Sequence, residues 1–217
     1  MPKLLSALTV FLTVLMGLQT PVMAAEEGST IKIVALGDSL TAGYGLNLSD
    51  AFPTVLTKAL QDKGYNVEVM NAGVSGDTTQ GGLERLAWSV PDGTDGVILE
   101  LGANDMLRGI SPTITRQNLE TIIQTLNQRK IKVLLTGMAS APNLGKDYAE
   151  QFGAIFPDLS KEYKLILYPF FLDGVAGNIS LNQPDGMHPT AEGVNVIVTN
   201  ILPTVEAFVA RIKAAKR

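Results

Sequence analysis

Short apolar runs alternate with amphipathic stretches along the chain from residue 31 onward. Apolar runs without polar alternation are typical of β-strands that are buried on both faces of a sheet. The chain is predicted to contain five strands, at Ile31–Leu36, Tyr65–Asn71, Gly96–Leu101, Ile131–Thr136 and Leu165–Tyr168.

The stretches between these runs have the spacing of helices. One of them places Leu119, Ile122, Ile123 and Leu126 at positions i, i+3, i+4 and i+7, which form one helical face. The predicted helices are Asp50–Lys63, Asp77–Ser89, one with Ser111 as N-cap and Pro112 as its first residue, Lys146–Tyr163, and a last helix that starts near Pro189 and is kinked at Pro203.

Strands that alternate with helices predict a parallel sheet covered by helices on both faces. Right-handed crossovers leave few topologies, and the simplest is a three-layer α/β/α fold with a five-stranded parallel, flavodoxin-like sheet. We expect residues 31–217 to form one domain of this kind. Ligands bind such sheets at the carboxyl ends of the strands, so functional residues are expected in the segments that follow strands.

The N-terminal segment has the pattern of a secretory signal peptide. Lys3 precedes the nearly continuous apolar run Leu4–Leu18, and small residues follow up to Ala24. As a helix this run would span only about 22 Å, less than the roughly 30 Å of a bilayer core. We expect a signal peptide at residues 1–24 and a flexible leader at 25–30; the alternative is an uncleaved membrane anchor.

Composition narrows the function classes. The net charge of −4 gives no basic surplus for nucleic acid, so no nucleic-acid partner is expected. The chain has no cysteine, which excludes disulfides, thiolate metal sites and a cysteine nucleophile. A cysteine-free secreted chain is compatible with a bacterial periplasm, the expected location.

Candidate chemistry follows the first and last strands. Ser39, in "GDSL", is either a nucleophile or a polar residue that caps a helix, since Gly-Asp-Ser is also a turn signal. His188 is the only histidine, and Asp185 lies three residues before it, with Gly186 permitting a tight turn. At that spacing the carboxylate can accept the Nδ1–H and leave Nε2 free to take a proton. The alternative is a structural turn, with Pro189 as the first residue of the last helix.

Two further candidates follow the second and third strands. The Gly76 N–H and the Asn104 side chain are neutral donors that suit the negative charge formed on an ester carbonyl during hydrolysis. Taken singly, Gly76 is equally explained by a turn, and Asn104 with Asp105 by a helix cap. Their order and their shared sheet edge favour the functional interpretation.

The segments "GDSLTAGYG", "NAGVSGDTT", "GANDM" and "DGMHP" resemble, in order, the four sequence blocks of the SGNH (GDSL) hydrolase family. The resemblance covers most of the chain after residue 24. It is closest to the secreted bacterial thioesterase I, lysophospholipase and arylesterase branch. One departure is Ala103, where relatives often have glycine.

The resemblance implies a serine esterase that acts through an acyl-enzyme and needs no metal or other cofactor. It implies Ser39 as nucleophile, His188 as base and Asp185 as the residue that orients the base. The Ser39 N–H, the Gly76 N–H and the Asn104 side chain would form the oxyanion hole. Activity is then expected to fall at acid pH as the imidazole becomes protonated.

Apolar residues near these blocks are candidates for substrate binding. Met106, Leu107 and Ile110 follow the third strand, and Met138 and Pro142 follow the fourth. Flexible apolar groups beside a nucleophile suit an acyl chain or an aryl ring, although each residue is equally explained by packing. Arg108 is a candidate for a phosphate or carboxylate group, or a solvated surface residue.

The sequence therefore favours a monomeric hydrolase of aryl esters, acyl thioesters or lysophospholipids, with a small acyl ester or thioester as its partner and no stable membrane anchor after signal cleavage. Two alternatives stay open. One is a carbohydrate O-deacetylase of the same family. The other is a periplasmic binding domain, which has no need for this set of polar residues.

Overall fold

A computed structural model describes residues 29–216. The predicted signal peptide at 1–24 and most of the predicted leader lie outside the described residues. The described chain forms a five-stranded, all-parallel sheet in the order β2-β1-β3-β4-β5. The strands are β1 (Ile31–Gly37), β2 (Val67–Gly73), β3 (Gly96–Glu100), β4 (Lys132–Thr136) and β5 (Ile166–Tyr168). This order is flavodoxin-like and confirms the predicted α/β architecture.

Eight α-helices connect and flank the strands within residues 29–216. They are α1 (Ser39–Ala42), α2 (Phe52–Asp62), α3 (Thr79–Glu84), α4 (Leu86–Ser89), α5 (Ala103–Leu107), α6 (Pro112–Gln128), α7 (Lys146–Tyr163) and α8 (Ala191–Ala215). Single turns of 3₁₀-helix occur at Leu48–Asp50, Pro142–Leu144 and Ile179–Leu181.

The helices form two layers around the sheet. Helices α2 and α8 contact each other on one face, while α6 contacts both α3 and α7 on the other. The apolar residues predicted for α6 are buried, as is the apolar stripe of α8 from Val194 to Ile212. Burying one such side chain contributes roughly 1.5–3 kcal/mol, so these two stripes hold the layers on the sheet.

Three local predictions differ from the structure. The predicted helix Asp77–Ser89 is two short helices separated at Arg85, whose side chain turns inward to bind the ends of two strands. "GANDM" contributes most of α5 instead of a loop. The last helix begins at Ala191 with Thr190 as its N-cap, so Pro189 is not its first residue. Helix α8 continues through Pro203 without ending there.

Within the described residues, α8 is the one helix long and apolar enough to cross a membrane on length and composition. Its apolar stripe is buried against the sheet and α2, which is the arrangement of a core helix.

Candidate active site

The segments after β1, β2, β3 and β5 meet at the carboxyl edge of the sheet. The Arg85 side chain binds the ends of β1 and β2. Its buried guanidinium donates to the carbonyls of Gly37 and Ala72 at 2.8 Å each, and to Asp77 at 2.5 Å. A cation that binds the last residues of two strands and the next loop fixes their relative positions. Arg85 therefore fixes the positions of the segments that follow β1 and β2 relative to each other.

Ser39, His188 and Asp185 form a continuous chain of side-chain contacts. His188 Nε2 lies 2.9 Å from Ser39 Oγ, and His188 Nδ1 lies 2.7 Å from Asp185 Oδ2. Because a carboxylate only accepts hydrogen bonds, Nδ1 carries the proton and Nε2 is the acceptor that faces the serine hydroxyl. Tyr44 packs on the imidazole, with 4.5 Å between ring centroids.

Asp185 is held by the backbone of its own turn. Its Oδ1 accepts the N–H groups of Met187 at 2.9 Å and His188 at 3.0 Å. Gly186 adopts a φ of +72°, a conformation that suits glycine and lets the carboxylate fold back over the turn. These two backbone bonds and the His188 side chain lower the pKa of Asp185 from its ordinary value of 3.8 to about 2. The carboxylate is thus ionised at neutral pH.

Ser39 is the first residue of α1, and the capping role belongs to its neighbour. Asp38 is the N-cap, and its Oδ1 accepts the Leu40 N–H at 3.0 Å. The serine hydroxyl therefore faces His188 instead of closing the helix. The Ser39 N–H donates to none of the described residues. The helix is therefore capped by Asp38, and Ser39 is the candidate nucleophile.

The other two candidate donors lie beside Ser39. Gly76 has a φ of +84°, and its N–H donates to none of the described residues. Its carbonyl accepts the Arg108 guanidinium at 2.7 Å. Asn104, in the first turn of α5, donates one side-chain N–H to Asp38 Oδ2 at 3.0 Å. Ser39, Gly76 and Asn104 line one cavity, so three uncommitted N–H groups border the same space.

Two carboxyl groups lie buried beneath Ser39. Asp38 and Glu100 are both inaccessible to solvent. Burial raises the pKa of Asp38 to about 6, against the hydrogen bonds from Leu40 and Asn104, which lower it. Burial and the neighbouring Asp38 carboxyl raise the pKa of Glu100 well above its ordinary value. Both effects favour the protonated form of the Glu100 carboxyl group.

A third buried carboxylate joins the helices behind Asn104. Asp105 accepts both the N–H and the hydroxyl of Thr79, at 2.8 Å and 2.5 Å, and the hydroxyl of Thr115 at 3.2 Å. These bonds connect α5 to the start of α3 and to α6. The backbone that carries Asn104 is therefore fixed from a second side.

The cavity has a volume of about 740 Å³, enough for a small ligand. It opens beside Ser39 and His188 and extends between the segments that follow β3, β4 and β5. Most of its walls are apolar. Its apolar side chains are Leu40, Tyr44, Ala103, Met106, Leu107, Met138, Ala139, Ala141, Phe170, Leu172, Ala176 and Met187.

The residues predicted for substrate binding divide into two groups. Met106, Leu107 and Met138 line the cavity. Arg108 does not line it and binds the Gly76 carbonyl instead, while Ile110 offers its carbonyl to the Tyr148 hydroxyl at 2.8 Å. The side chain of Pro142 lies outside the described part of the chain.

Sequence reasoning missed several residues of this site. The wall formed by Phe170 and Leu172 lies in the long segment after β5, where no periodic pattern marks a position. Glu100 had a signal, because a carboxyl in the apolar run "GVILEL" is unusual for a strand buried on both faces. Asp38 was passed over as part of a turn.

The chain is similar in sequence and structure to known proteins. A sequence profile of the GDSL-like Lipase/Acylhydrolase family matches residues 35–196. A Pseudomonas aeruginosa protein named Esterase TesA is 37% identical over 186 residues, which are 85% of this chain and 92% of that protein. An Escherichia coli K12 protein named Thioesterase 1/protease 1/lysophospholipase L1 is 40% identical over 161 residues, or 74% of this chain and 76% of that protein.

The likeness extends to solved structures. The crystal structure of AlinE4, described as an SGNH-hydrolase family esterase, superposes with a TM-score of 0.71 at 46% sequence identity. The match covers 83% of this chain and 97% of that chain. The residues matched by the family profile, 35–196, include all the segments that form the cavity.

Proposed function

Since the chain belongs to the GDSL-like lipase/acylhydrolase family and is a carboxylic ester hydrolase, we propose that Ser39 is its nucleophile, His188 its general base and Asp185 the residue that orients the base. The family resemblance and the enzyme class expected from the sequence are confirmed. The observation that carries the proposed roles is the continuous contact from Ser39 Oγ through the imidazole to the Asp185 carboxylate.

In the first half of the proposed reaction, Ser39 Oγ attacks the carbonyl carbon of the substrate while His188 Nε2 takes its proton. The ionised Asp185 carboxylate stabilises the imidazolium that forms. When the tetrahedral intermediate collapses, the bond to the leaving oxygen or sulfur breaks. The imidazolium then gives its proton to that leaving group, and the acyl group remains on Ser39.

In the second half, water replaces the leaving group. His188 takes a proton from the water as it attacks the acyl-enzyme, and returns it to Ser39 Oγ when the acid is released. In both halves the carbonyl oxygen becomes negative beside the N–H groups of Ser39, Gly76 and Asn104. Preorganised donors at such a position typically lower the barrier by about 2.7–4 kcal/mol each.

The cavity supports the proposed substrate class. Its apolar walls suit an acyl chain or an aryl group, which supports aryl esters and acyl thioesters as substrates, with lysophospholipids as a further class. A carbohydrate O-deacetylase has to bind many hydroxyl groups, and the walls offer few polar side chains for them. We therefore place acyl esters and thioesters ahead of acetylated sugars.

The proposed setting is the periplasm, with a monomeric enzyme released after signal cleavage. The basis for the location and for release is the sequence pattern of residues 1–24. The N-terminal residue of the secreted protein tests signal cleavage, and its native mass tests the monomeric state. A mature chain that starts at residue 25 is the expected result, and retention of residues 1–24 in a membrane fraction contradicts it.

The proposed roles are tested by covalent labelling and turnover. A fluorophosphonate is expected to modify the wild type at Ser39 and to leave Ser39→Ala unlabelled. His188→Ala is expected to lose turnover of p-nitrophenyl acyl esters. Near-normal activity in His188→Ala, or labelling at another serine, contradicts the assignment.

A substrate panel tests the class. The purified enzyme is compared on p-nitrophenyl esters of increasing acyl length, acyl-CoA thioesters and acetylated xylo-oligosaccharides. Higher kcat/KM on the acyl esters and thioesters is the expected outcome. Preference for the acetylated sugars supports the O-deacetylase instead.

A further inference from the structure

We propose that Asp38 is a positioning residue that holds the carboxamide of Asn104 so that its second N–H faces the oxyanion site. The inference rests on the proposed function, in which Asn104 is an oxyanion donor. It concerns a residue next to the proposed nucleophile that has no contact with the reacting atoms in the mechanism above.

The two carboxylate oxygens of Asp38 bind different parts of the site. Oδ1 accepts the Leu40 N–H at 3.0 Å and so caps the helix that begins with Ser39. Oδ2 accepts an Asn104 Nδ2–H at 3.0 Å. Asp38 is fully buried, so water does not compete for either bond. One rigid side chain thus links two of the three proposed donors.

The bond to Asn104 determines which end of the amide faces the cavity. A carboxamide can rotate by half a turn and exchange its oxygen and nitrogen at little cost. An ionised carboxylate removes this freedom because it accepts hydrogen bonds and donates none. Nδ2 must therefore lie against Asp38, which leaves the second hydrogen on Nδ2 for a ligand in the cavity.

A helix cap does not require a carboxylate, which Asp38 supplies. Serine, threonine or asparagine would cap α1 as well as aspartate does. A fully buried carboxylate is costly, and here burial raises the pKa of Asp38 to about 6. The group remains largely ionised at neutral pH, with Leu40 and Asn104 as its donors. The cap explains one acceptor oxygen, Oδ1, and the contact with Asn104 explains the second, Oδ2.

Asp38→Asn is the central test because it preserves shape and cap. The new side chain accepts the Leu40 N–H with its oxygen and presents its NH₂ group to residue 104. Asn104 must then rotate to place its own oxygen there, and its NH₂ leaves the oxyanion site. We expect kcat on a p-nitrophenyl ester to fall at least about tenfold with little change in KM, since the lost contact is made in the transition state.

A double-mutant cycle separates positioning from a general structural effect. Asn104→Ala alone is expected to lower kcat about 10²–10³-fold, as loss of one oxyanion donor does. In that background Asp38→Asn should lower kcat less than about threefold further, because the amide it acts through is gone. Asp38→Ser, which can cap α1 but is too short to reach Asn104, is expected to reproduce the loss of kcat.

Asp95→Asn is the matched control. Asp95 accepts the Lys32 N–H at 2.9 Å through its side chain, as Asp38 accepts that of Leu40, but it lies at the opposite edge of the sheet. This variant should keep the wild-type kcat. Melting curves of all variants are measured alongside to show that they are folded.

The outcomes distinguish the two proposals. If Asn104→Ala retains wild-type kcat, the oxyanion role of Asn104 in the proposed function fails, and this inference fails with it. If Asn104→Ala is impaired but Asp38→Asn either retains wild-type kcat or lowers it equally in both backgrounds, only the positioning role of Asp38 is overturned.

Discussion

Thr41 donates its hydroxyl to Oε2 of Glu100 at 2.8 Å, and this bond fastens the first turn of α1 to the central part of the sheet. The same oxygen accepts the Asp38 N–H at 3.3 Å. Ser39 lies between the two donors in sequence. The Glu100 carboxyl group at the end of β3 therefore sets the position of the proposed nucleophile.

Glu100→Gln is expected to retain activity within about threefold of the wild type. Glutamine offers the same carbonyl oxygen to Thr41 and Asp38, and its amide is close in shape and charge to the protonated carboxyl group that burial favours. Glu100→Ala leaves both donors buried without an acceptor, which costs about 1–3 kcal/mol for each. Steady-state kinetics and urea unfolding of both variants test this. Loss of activity in Glu100→Gln would mean that the carboxylate form is required.

The same variant tests the protonation of Glu100 through the pH dependence of stability. In the unfolded chain this carboxyl titrates near 4.5, while in the folded protein its pKa is raised well above that value. The folded state therefore holds more protons, and stability falls as pH rises from about 4.5 toward the folded pKa. Glu100→Gln lacks this loss, so its unfolding free energy should gain on that of the wild type as pH rises. A pH-independent difference would contradict the assignment.

Gly76→Ala and Gly64→Ala form a matched pair. The two glycines have φ values of +84° and +83°, which strain any other residue by roughly 1–2 kcal/mol. A Cβ at residue 76 would meet only the Arg108 guanidinium, at 3.6 Å, and one at residue 64 would meet nothing within 4 Å. Both variants should lose similar stability in thermal unfolding. Only Gly76→Ala should lose kcat, because relaxation of its backbone moves a proposed oxyanion donor.

Arg108→Ala is expected to lower kcat about three- to tenfold with little change in KM. The guanidinium holds the Gly76 carbonyl at 2.7 Å, so its loss frees the loop that carries the neighbouring N–H. Arg116→Ala is the control, because Arg116 forms a partly exposed ion pair with Glu162 and neither residue lines the cavity. An increase in KM alone would instead support the earlier interpretation of Arg108 as a substrate contact.

Asp185→Asn is expected to lower kcat by about 10⁴ while leaving the fold intact. The asparagine oxygen can keep the two backbone N–H groups, but its NH₂ then faces His188 Nδ1 and favours the tautomer with hydrogen on Nε2. Since the pKa of Asp185 is about 2, this carboxylate stays ionised until the pH falls toward 2, so its protonation should not contribute to the loss of wild-type activity at milder acid pH. Kinetics of the variant and of the wild type across acid pH check both statements.

The strand pattern predicted the fold because β1, β3 and β4 are almost entirely buried and have long apolar runs. Strand ends differ by one or two residues, as at Tyr65, which precedes β2. Helix α5 was missed because "GANDM" has no apolar period. Its bonds to Thr79 and Thr115 come from distant segments, and a sequence pattern does not contain them.

The candidate site was predicted less evenly. Ser39, His188 and Asp185 have distinct chemistry, and Asp185 lies only three residues before His188. The structure brings all three together. Arg108 was assigned to substrate because a surface arginine has no sequence signal for a backbone carbonyl partner. Asp38 and Glu100 act through contacts that form only in the tertiary fold. For Glu100 the sequence has a signal, because a charged residue inside an apolar strand is unusual.

The contact between Ser39 and His188 joins residues 149 positions apart. Closing so long a loop costs chain entropy that is recovered only when the intervening sheet has formed. Turnover should therefore appear late in refolding, after the recovery of helical and sheet signals. Any fragment that ends before residue 188 should be inert even where it retains most of the core. Ester hydrolysis by this protein thus serves as a readout of its completed folding.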